Sequence, residues 1–272
     1  MKRNQRICAI MNVLTTHPNM VFSYNYFTDR FDAAKTSISE DIVIIKETIN
    51  DLDLGEIQTI SGAAGGVKYI PKVNANEEKK VVNLISEMLN SKERILPGNF
   101  IYMVDMLYNP GLVDRIAKIF VNQYENVDID YVVTVETKGI PLAFETARLL
   151  NVPLVIIRRN IKITEGTTVN INYISGSSGS IQTMSLSRKA MKENSKVLVV
   201  DDFMKAGGTA KGIVDMMKEF KSKVEGICVL MSTAEPKDKL VDDYYSLLTL
   251  EKIDNHNGEI YIKAGNSITT TD

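Results

Sequence analysis

The stretch that decides the fold runs Val197-Leu198-Val199-Val200-Asp201-Asp202-Phe203-Met204-Lys205-Ala206-Gly207-Gly208-Thr209. Its four leading aliphatic residues make a continuous apolar run, the pattern of a strand covered on both faces. The run delivers two adjacent carboxylates, Asp201 and Asp202, and then a loop of small residues that opens a helix over 209–220. Each part has a chemical use. Paired carboxylates accept hydrogen bonds from a vicinal diol or face a magnesium ion. Lys205, Ala206, Gly207, Gly208 and Thr209 offer backbone N–H groups and a hydroxyl at a helix N-terminus, where a phosphate monoester is favoured. Gly207 and Gly208 let the backbone approach an anion with no Cβ in the way. A sugar phosphate satisfies all three requirements together.

Strand and helix signals alternate outward from this stretch. Helices are expected over 77–90, 111–124 and 142–150, and strands at Tyr131–Val135, Leu154–Ile157 and 226–231. The pattern predicts an α/β domain with a parallel sheet over residues 77–272. Ligands of such sheets sit beyond the carboxyl ends of the strands. Two further loops therefore count as candidates: Thr137, Lys138 and Gly139 after one strand, and Arg158, Arg159 and Lys162 after the next. Residues 158–192 carry six Lys/Arg against one acid, Glu165, and alternate like a hairpin around a Gly/Ser-rich tip at 175–180. Such a basic flap suits a polyphosphate and DNA phosphates equally.

Residues 1–73 follow a different grammar, helix, helix, helix, hairpin. Ile7, Ile10, Met11 and Leu14 recur at helical spacing, a short helix follows at Tyr24–Phe31, and Ser37 and Glu40 read as a capping box ahead of Ile38, Ile42, Ile45 and Ile49. Two short strands flank a glycine-rich turn at 61–66. This is the plan of a winged helix, and a small helical dimerisation or capping domain shares it. Residues 1–73 hold eight Lys/Arg and eight Asp/Glu, so DNA binding requires the charges to segregate. Lys2, Arg3 and Arg6 at the start, Lys35, Thr36 and Ser37 at the third helix, and Lys68 and Lys72 in the hairpin are the candidates.

Bulk properties exclude more than they assign. The net charge of −2 over 272 residues gives no general affinity for polyanions. Cys8 and Cys228 are isolated thiols in apolar stretches, expected to be buried and reduced, and His17 and His256 are too isolated for a zinc site. No metal site within the protein is expected. No stretch approaches the roughly 20 apolar residues of a membrane span, and the N-terminus is not a secretory signal, so a soluble, cytoplasmic protein is expected.

The segment 197–209 resembles the phosphoribosyl pyrophosphate (PRPP) motif of type I phosphoribosyltransferases, in which a hydrophobic strand runs into two acids and a phosphate loop. That resemblance places the pyrophosphate near Thr137-Lys138-Gly139 and near Arg158, Arg159 and Lys162, and makes the basic region 158–192 a mobile hood. It departs from the 6-oxopurine enzymes, which typically place an aspartate before the phosphate loop to handle the purine proton. Here that residue is Lys205, cationic at neutral pH and unsuited to act as a base. Other branches have alanine there and remain active.

With Ser37-Ile38-Ser39-Glu40-Asp41, Gly62–Pro71 and Ile140-Pro141-Leu142-Ala143 included, nearly the whole chain is similar to the bacterial purine operon repressors, apart from the last ten or so residues after Ile262. That resemblance implies a homodimer that represses purine biosynthesis and transport genes by binding double-stranded operator DNA. It needs no cofactor for that and is released by PRPP with magnesium. Phe203, with Phe100 and Tyr102, is a candidate for stacking on a base, a core role being equally open, and purine nucleotides would then compete with PRPP. The competing reading is an active purine or xanthine phosphoribosyltransferase whose extra domain serves assembly.

Overall fold

The structure, a computed structural model, describes residues 1–62, 65–159, 166–175 and 179–266. The chain divides into two compact units, Met1–Glu77 with Arg148–Asn151, and Glu78–Ala147 with Val152–Asp272.

The first unit contains helices α1 (Arg3–Thr16), α2 (Tyr24–Phe31) and α3 (Lys35–Asp51) and the antiparallel pair β1 (Glu56–Ile60) and β2 (Gly66–Ile70). Ile38, Ile42, Ile45 and Ile49 form one stripe along α3 and are buried against Ile10 and Leu14 of α1, Phe27 of α2 and Ile57 of β1. This is the winged-helix arrangement. Asp32, at φ 46°, ends α2 in the left-handed region, and α3 begins at Lys35. The expected capping box is not formed. The helix starts two residues before Ser37, Ala34 holds the N-cap position without a side-chain cap, and Glu40 pairs with Arg3 at 3.4 Å instead. Phe22 extends the hairpin by bridging Val67 through two 2.9 Å bonds. That close approach demands a glycine beside it: a Cβ on Gly66 would lie 2.2 Å from the Phe22 carbonyl oxygen.

The expectation of two buried thiols holds only for Cys228; Cys8 is exposed. Cys8 sits one residue round α1 from Ile7, off the stripe that carries Ile10 and Leu14 into the core.

The second unit opens with α4 (Ala75–Leu89), which runs on from the first unit, and a small hairpin of β3 (Ile95–Leu96) and β4 (Phe100–Ile101). Helices α5 (Val104–Leu107) and α6 (Pro110–Gln123) lead to β5 (Tyr131–Val135), α7 (Ile140–Leu150) and β6 (Leu154–Ile157). The hairpin β7 (Thr168–Ile174) and β8 (Ile181–Ser187) precedes β9 (Lys196–Met204), α8 (Gly208–Glu219) and β10 (Lys223–Thr233). Two strands that the apolar pattern did not reveal, β11 (Tyr245–Asp254) and β12 (Glu259–Ala264), complete the sheet. Its order is β12-β11-β10-β9-β5-β6, parallel except for β12 at the edge. Val197–Val200 of β9 are fully buried at its centre, as a strand covered on both faces requires.

Candidate functional site

Strand β9 runs further than its apolar stretch. Pairing with β10 continues through Asp201, Phe203 and Met204, opposite Val229, Met231 and Ser232. The two carboxylates are therefore held by a sheet ladder at the C-terminal end of the central strand, not by a free loop. They lie in a cleft of about 990 Å³ lined also by Thr137, Lys138, Arg159, Phe203, Lys205, Gly207, Gly208 and Thr209. Asp201 is half-buried by area, yet its carboxylate is enclosed by protein. Withdrawal from water, and then the Asp202 carboxylate beside it, raises it well above the ordinary range; Arg159 acts weakly the other way. One Asp201 oxygen also accepts the Asp202 backbone N–H at 2.9 Å.

The phosphate loop is built with its carbonyls engaged behind it. The Lys205 carbonyl accepts from the Lys239 ammonium at 2.6 Å, Ala206 from the Leu240 N–H at 2.9 Å, and Gly207 from the Lys211 N–H at 2.8 Å. Gly207 holds φ at 81°, a left-handed value that favours glycine. Among the described residues, the N–H groups of Gly207, Gly208 and Thr209 meet no protein acceptor. With the positive end of α8 behind them, they have the chemistry that suits an anion.

The loop after β5 comes close to the carboxylates. A Cβ on Gly139 would lie 2.8 Å from Asp201 Oδ1 and 3.0 Å from Thr134 Oγ1, so this position requires glycine. The Glu136–Thr137 peptide is cis. Glu136 accepts the Arg159 N–H at 2.7 Å and pairs with the Arg158 guanidinium at 3.5 Å.

The candidate residues separate here. Arg159 lines the cleft; Arg158, bridged to Ser185 of β8, lines a smaller hollow with Lys189 and Leu186. Ala206 and Gly139 are not among the residues that line the cleft. Lys162 falls outside the described residues. Phe100 and Phe203 both line the cleft, whereas Tyr102 does not and instead hydrogen-bonds Arg94 through its backbone.

The described residues of the hairpin, 168–175 and 179–187, lie off the cleft; residues 160–165 and 176–178 of the expected hood fall outside the described residues. Val169, Tyr173, Met184 and Leu186 are buried with Ile213, Met216 and Met217 of α8, and none of the hairpin's described residues lines the cleft. Its alternation put apolar residues on one face, and that face found α8. The cleft is walled instead by residues 96–101, around the Pro97-Gly98-Asn99 turn, and by Leu250–Ile253 of β11. Arg94 fixes the base of that turn through a two-pronged pair with Asp105 at 2.9 and 2.8 Å. Of the first wall the sequence singled out Phe100 alone, and of the second no residue. The Pro-Gly-Asn turn signal was present for the first, but two-residue strands leave almost no periodicity.

In the first unit, Asp41 overturns part of the expected basic surface. It is fully buried within the apolar stripe of α3 and accepts from Arg6 Nε and, at 3.2 Å, from Arg3 Nε. The Arg6 side chain is only 12% exposed, so it ties α1 to α3 and is withdrawn from any external ligand. Lys72 pairs with Glu56 at 2.6 Å across the foot of the hairpin. Lys2, Lys35 and Thr36 remain exposed, with the Lys35 ammonium 5.9 Å above the Tyr24 ring, while Ser37 and Lys68 are half-buried. Among the described residues no helix is long and apolar enough to cross a membrane, and no cluster of three metal-ligating side chains occurs.

Comparison with known proteins follows the same division. Residues 2–71 match the model of the bacterial purine repressor N-terminal domain, and residues 103–261 that of the phosphoribosyl transferase domain. The chain is 46% identical to the purine biosynthesis transcriptional repressor PurR of Bacillus subtilis, over 97% of this chain and 93% of that one. It is 39% identical to the purine biosynthesis transcriptional activator PurR of Lactococcus lactis, over 98% of both. Adenine phosphoribosyltransferase from Rhodothermus marinus superposes with a TM-score of 0.54 at 19% identity, covering 65% of this chain and all of that one, which shows the fold of the second unit. Both full-length relatives are named as regulators, not as enzymes, and the chain belongs with them to the PurR family of bacterial purine-biosynthesis transcriptional regulators.

Proposed function

We propose that this regulator is a repressor whose winged helix binds operator DNA upstream of purine biosynthesis and transport genes, as a homodimer, and that PRPP with magnesium releases it. The observation that carries the effector half is the loop after β9: three carbonyls engaged by protein donors, three N–H groups with no protein acceptor among the described residues, and two carboxylates lining the same cleft. In this reading the loop takes the 5′-phosphate and the carboxylates take the ribose hydroxyls. Lys138 and Arg159 take the pyrophosphate. Magnesium fits as an ion bound jointly by a carboxylate and the ligand's own oxygens, because two adjacent acids do not close a full coordination shell.

On the DNA side, the uncapped start of α3 offers Lys35 and Thr36 with free backbone donors to phosphate, and Lys68 lies on the hairpin. Lys2 and the half-exposed Arg3 can add to that surface. Release requires PRPP to bind the DNA-free form more tightly; a coupling of ~1–3 kcal/mol changes DNA affinity about 5- to 150-fold. Purine nucleotides whose base reaches Phe100 or Phe203 are expected to compete with PRPP.

Fluorescence anisotropy with labelled purine-promoter DNA, with and without PRPP and magnesium, tests the whole reading. Asp202→Ala is expected to bind DNA normally and ignore PRPP; a normal response would remove the carboxylates from the site. No specific DNA binding at low salt, together with turnover of PRPP and a free base, would establish the transferase reading instead. A promoter-reporter assay reads the sign of regulation, which differs in name between the two relatives.

A further inference from the structure

The carbonyl of Lys205 is held from behind by a residue outside any phosphate-binding motif. Lys239 Nζ donates to Lys205 O at 2.6 Å, to Thr233 O at 2.8 Å and to Thr233 Oγ1 at 3.2 Å, which uses all three ammonium protons. Thr233 Oγ1 donates in turn to Glu235 O at 2.6 Å. The next residue, Leu240, gives its N–H to Ala206 O at 2.9 Å, and its backbone nitrogen would lie 3.2 Å from a Cβ on Gly207. Lys239 and Leu240 therefore strap the loop through its carbonyls, and the Lys239 ammonium is spent wholly on backbone and hydroxyl acceptors.

Lys239 itself does not line the cleft. Its effect on a ligand must pass through the loop. A peptide whose carbonyl is pulled backward turns the N–H of the following residue forward, and an ammonium behind the loop adds positive potential to it. We propose that Lys239 is a positioning residue for the 5′-phosphate: by holding the Lys205 carbonyl it fixes the Lys205–Ala206 peptide that opens the loop, and so sets the affinity for a phosphate monoester, leaving pyrophosphate recognition at Lys138 and Arg159 untouched. The inference rests on the PRPP reading of the cleft and adds to it a residue 34 positions from the one it acts upon.

Isothermal titration of the full chain with ribose 5-phosphate and, separately, magnesium pyrophosphate tests it. Lys239→Met is expected to weaken ribose 5-phosphate binding about tenfold, the scale of one charge-assisted hydrogen bond, and to leave pyrophosphate affinity unchanged. Lys239→Arg, which keeps the charge and the donors, should recover most of the loss. Retained pyrophosphate binding also shows that the variant is folded. If Lys239→Met does not fold, Lys239→Gln, which keeps a donor without the charge, should give the same selective loss at smaller size. Equal loss of both ligands, no loss of ribose 5-phosphate binding, or no rescue by arginine overturns the inference. A wild-type protein that binds neither ligand would instead overturn the PRPP reading on which it depends.

Discussion

Replacing Arg6 by alanine separates two roles for a basic residue at the start of a DNA-binding unit. Asp41 has no exposed surface, and its two partners differ: the Arg3 side chain is 52% exposed and that of Arg6 12%. The Arg3 pair is screened by water and contributes ~0.2–1 kcal/mol. Loss of Arg6 leaves a buried carboxylate with that weaker partner alone. Stranding a buried charge costs about 3–5 kcal/mol, and the surviving Arg3 contact lowers this only to about 2–5 kcal/mol. For a unit of this size ~1 kcal/mol moves a melting midpoint by roughly 4–8 °C. Arg6→Ala should therefore lower the first unit's transition by at least about 8 °C in scanning calorimetry of the full chain, with the second unit unmoved. Arg3→Ala should lower it by less than about 8 °C. Below the new midpoint, the dependence of DNA affinity on salt should match the wild type, because no phosphate contact has gone. A direct phosphate contact predicts the opposite pair of results: an unchanged midpoint, and a log–log salt slope smaller by about 0.9. Observing that pair would refute the clamp.

Gly139→Ala should weaken magnesium pyrophosphate binding on the order of tenfold while leaving ribose 5-phosphate binding intact, because the new methyl forces the loop several tenths of an ångström from Asp201; calorimetry with the two ligands separates the effects. Asp201 makes a pH prediction. Its folded pKa is raised, so the folded chain holds a proton that the unfolded chain has released, and stability from this group falls as pH climbs from the ordinary carboxylate range through the raised value. Asp201→Asn should remove that slope in denaturation curves taken across the same window. By the same linkage, binding of magnesium PRPP to the ionised pair should release a proton. That appears as a binding enthalpy that varies with the ionisation heat of the buffer, and Asp201→Asn should abolish it.

Legibility in the sequence followed the range of the interactions. The segment 197–209 could be read because strand, acids and phosphate loop are contiguous, and each property is set by neighbours a few residues away. Its limit was the end of the strand. The sequence placed Asp201 and Asp202 beyond it, whereas β10 pairs with them from some 30 residues downstream. Arg6 was misassigned for the same reason, since its partner lies 35 residues away. A signal existed even so: Asp41 interrupts the stripe Ile38, Ile42, Ile45, and an acid at a core position calls for a cation. The hairpin between the basic flanks shows in the sequence as a hairpin, but alternation says only that one face is covered, not by what, and α8 covers it. Lys239 carried no local mark at all. Its role exists only once β10 and the loop after β9 are side by side.

The unequal environment of the two thiols gives the molecule a built-in handle. Cys228 is buried at the β10–β11 contact, and burial pushes its thiol well above the ordinary value even though the Tyr124 hydroxyl approaches it. Cys8 is open to solvent on the helix that carries Arg3 and Arg6. A maleimide dye added to the folded, unmodified protein will thus mark the winged helix alone, at one atom. Native sequence then suffices to watch that domain approach and leave DNA while PRPP is titrated into the other.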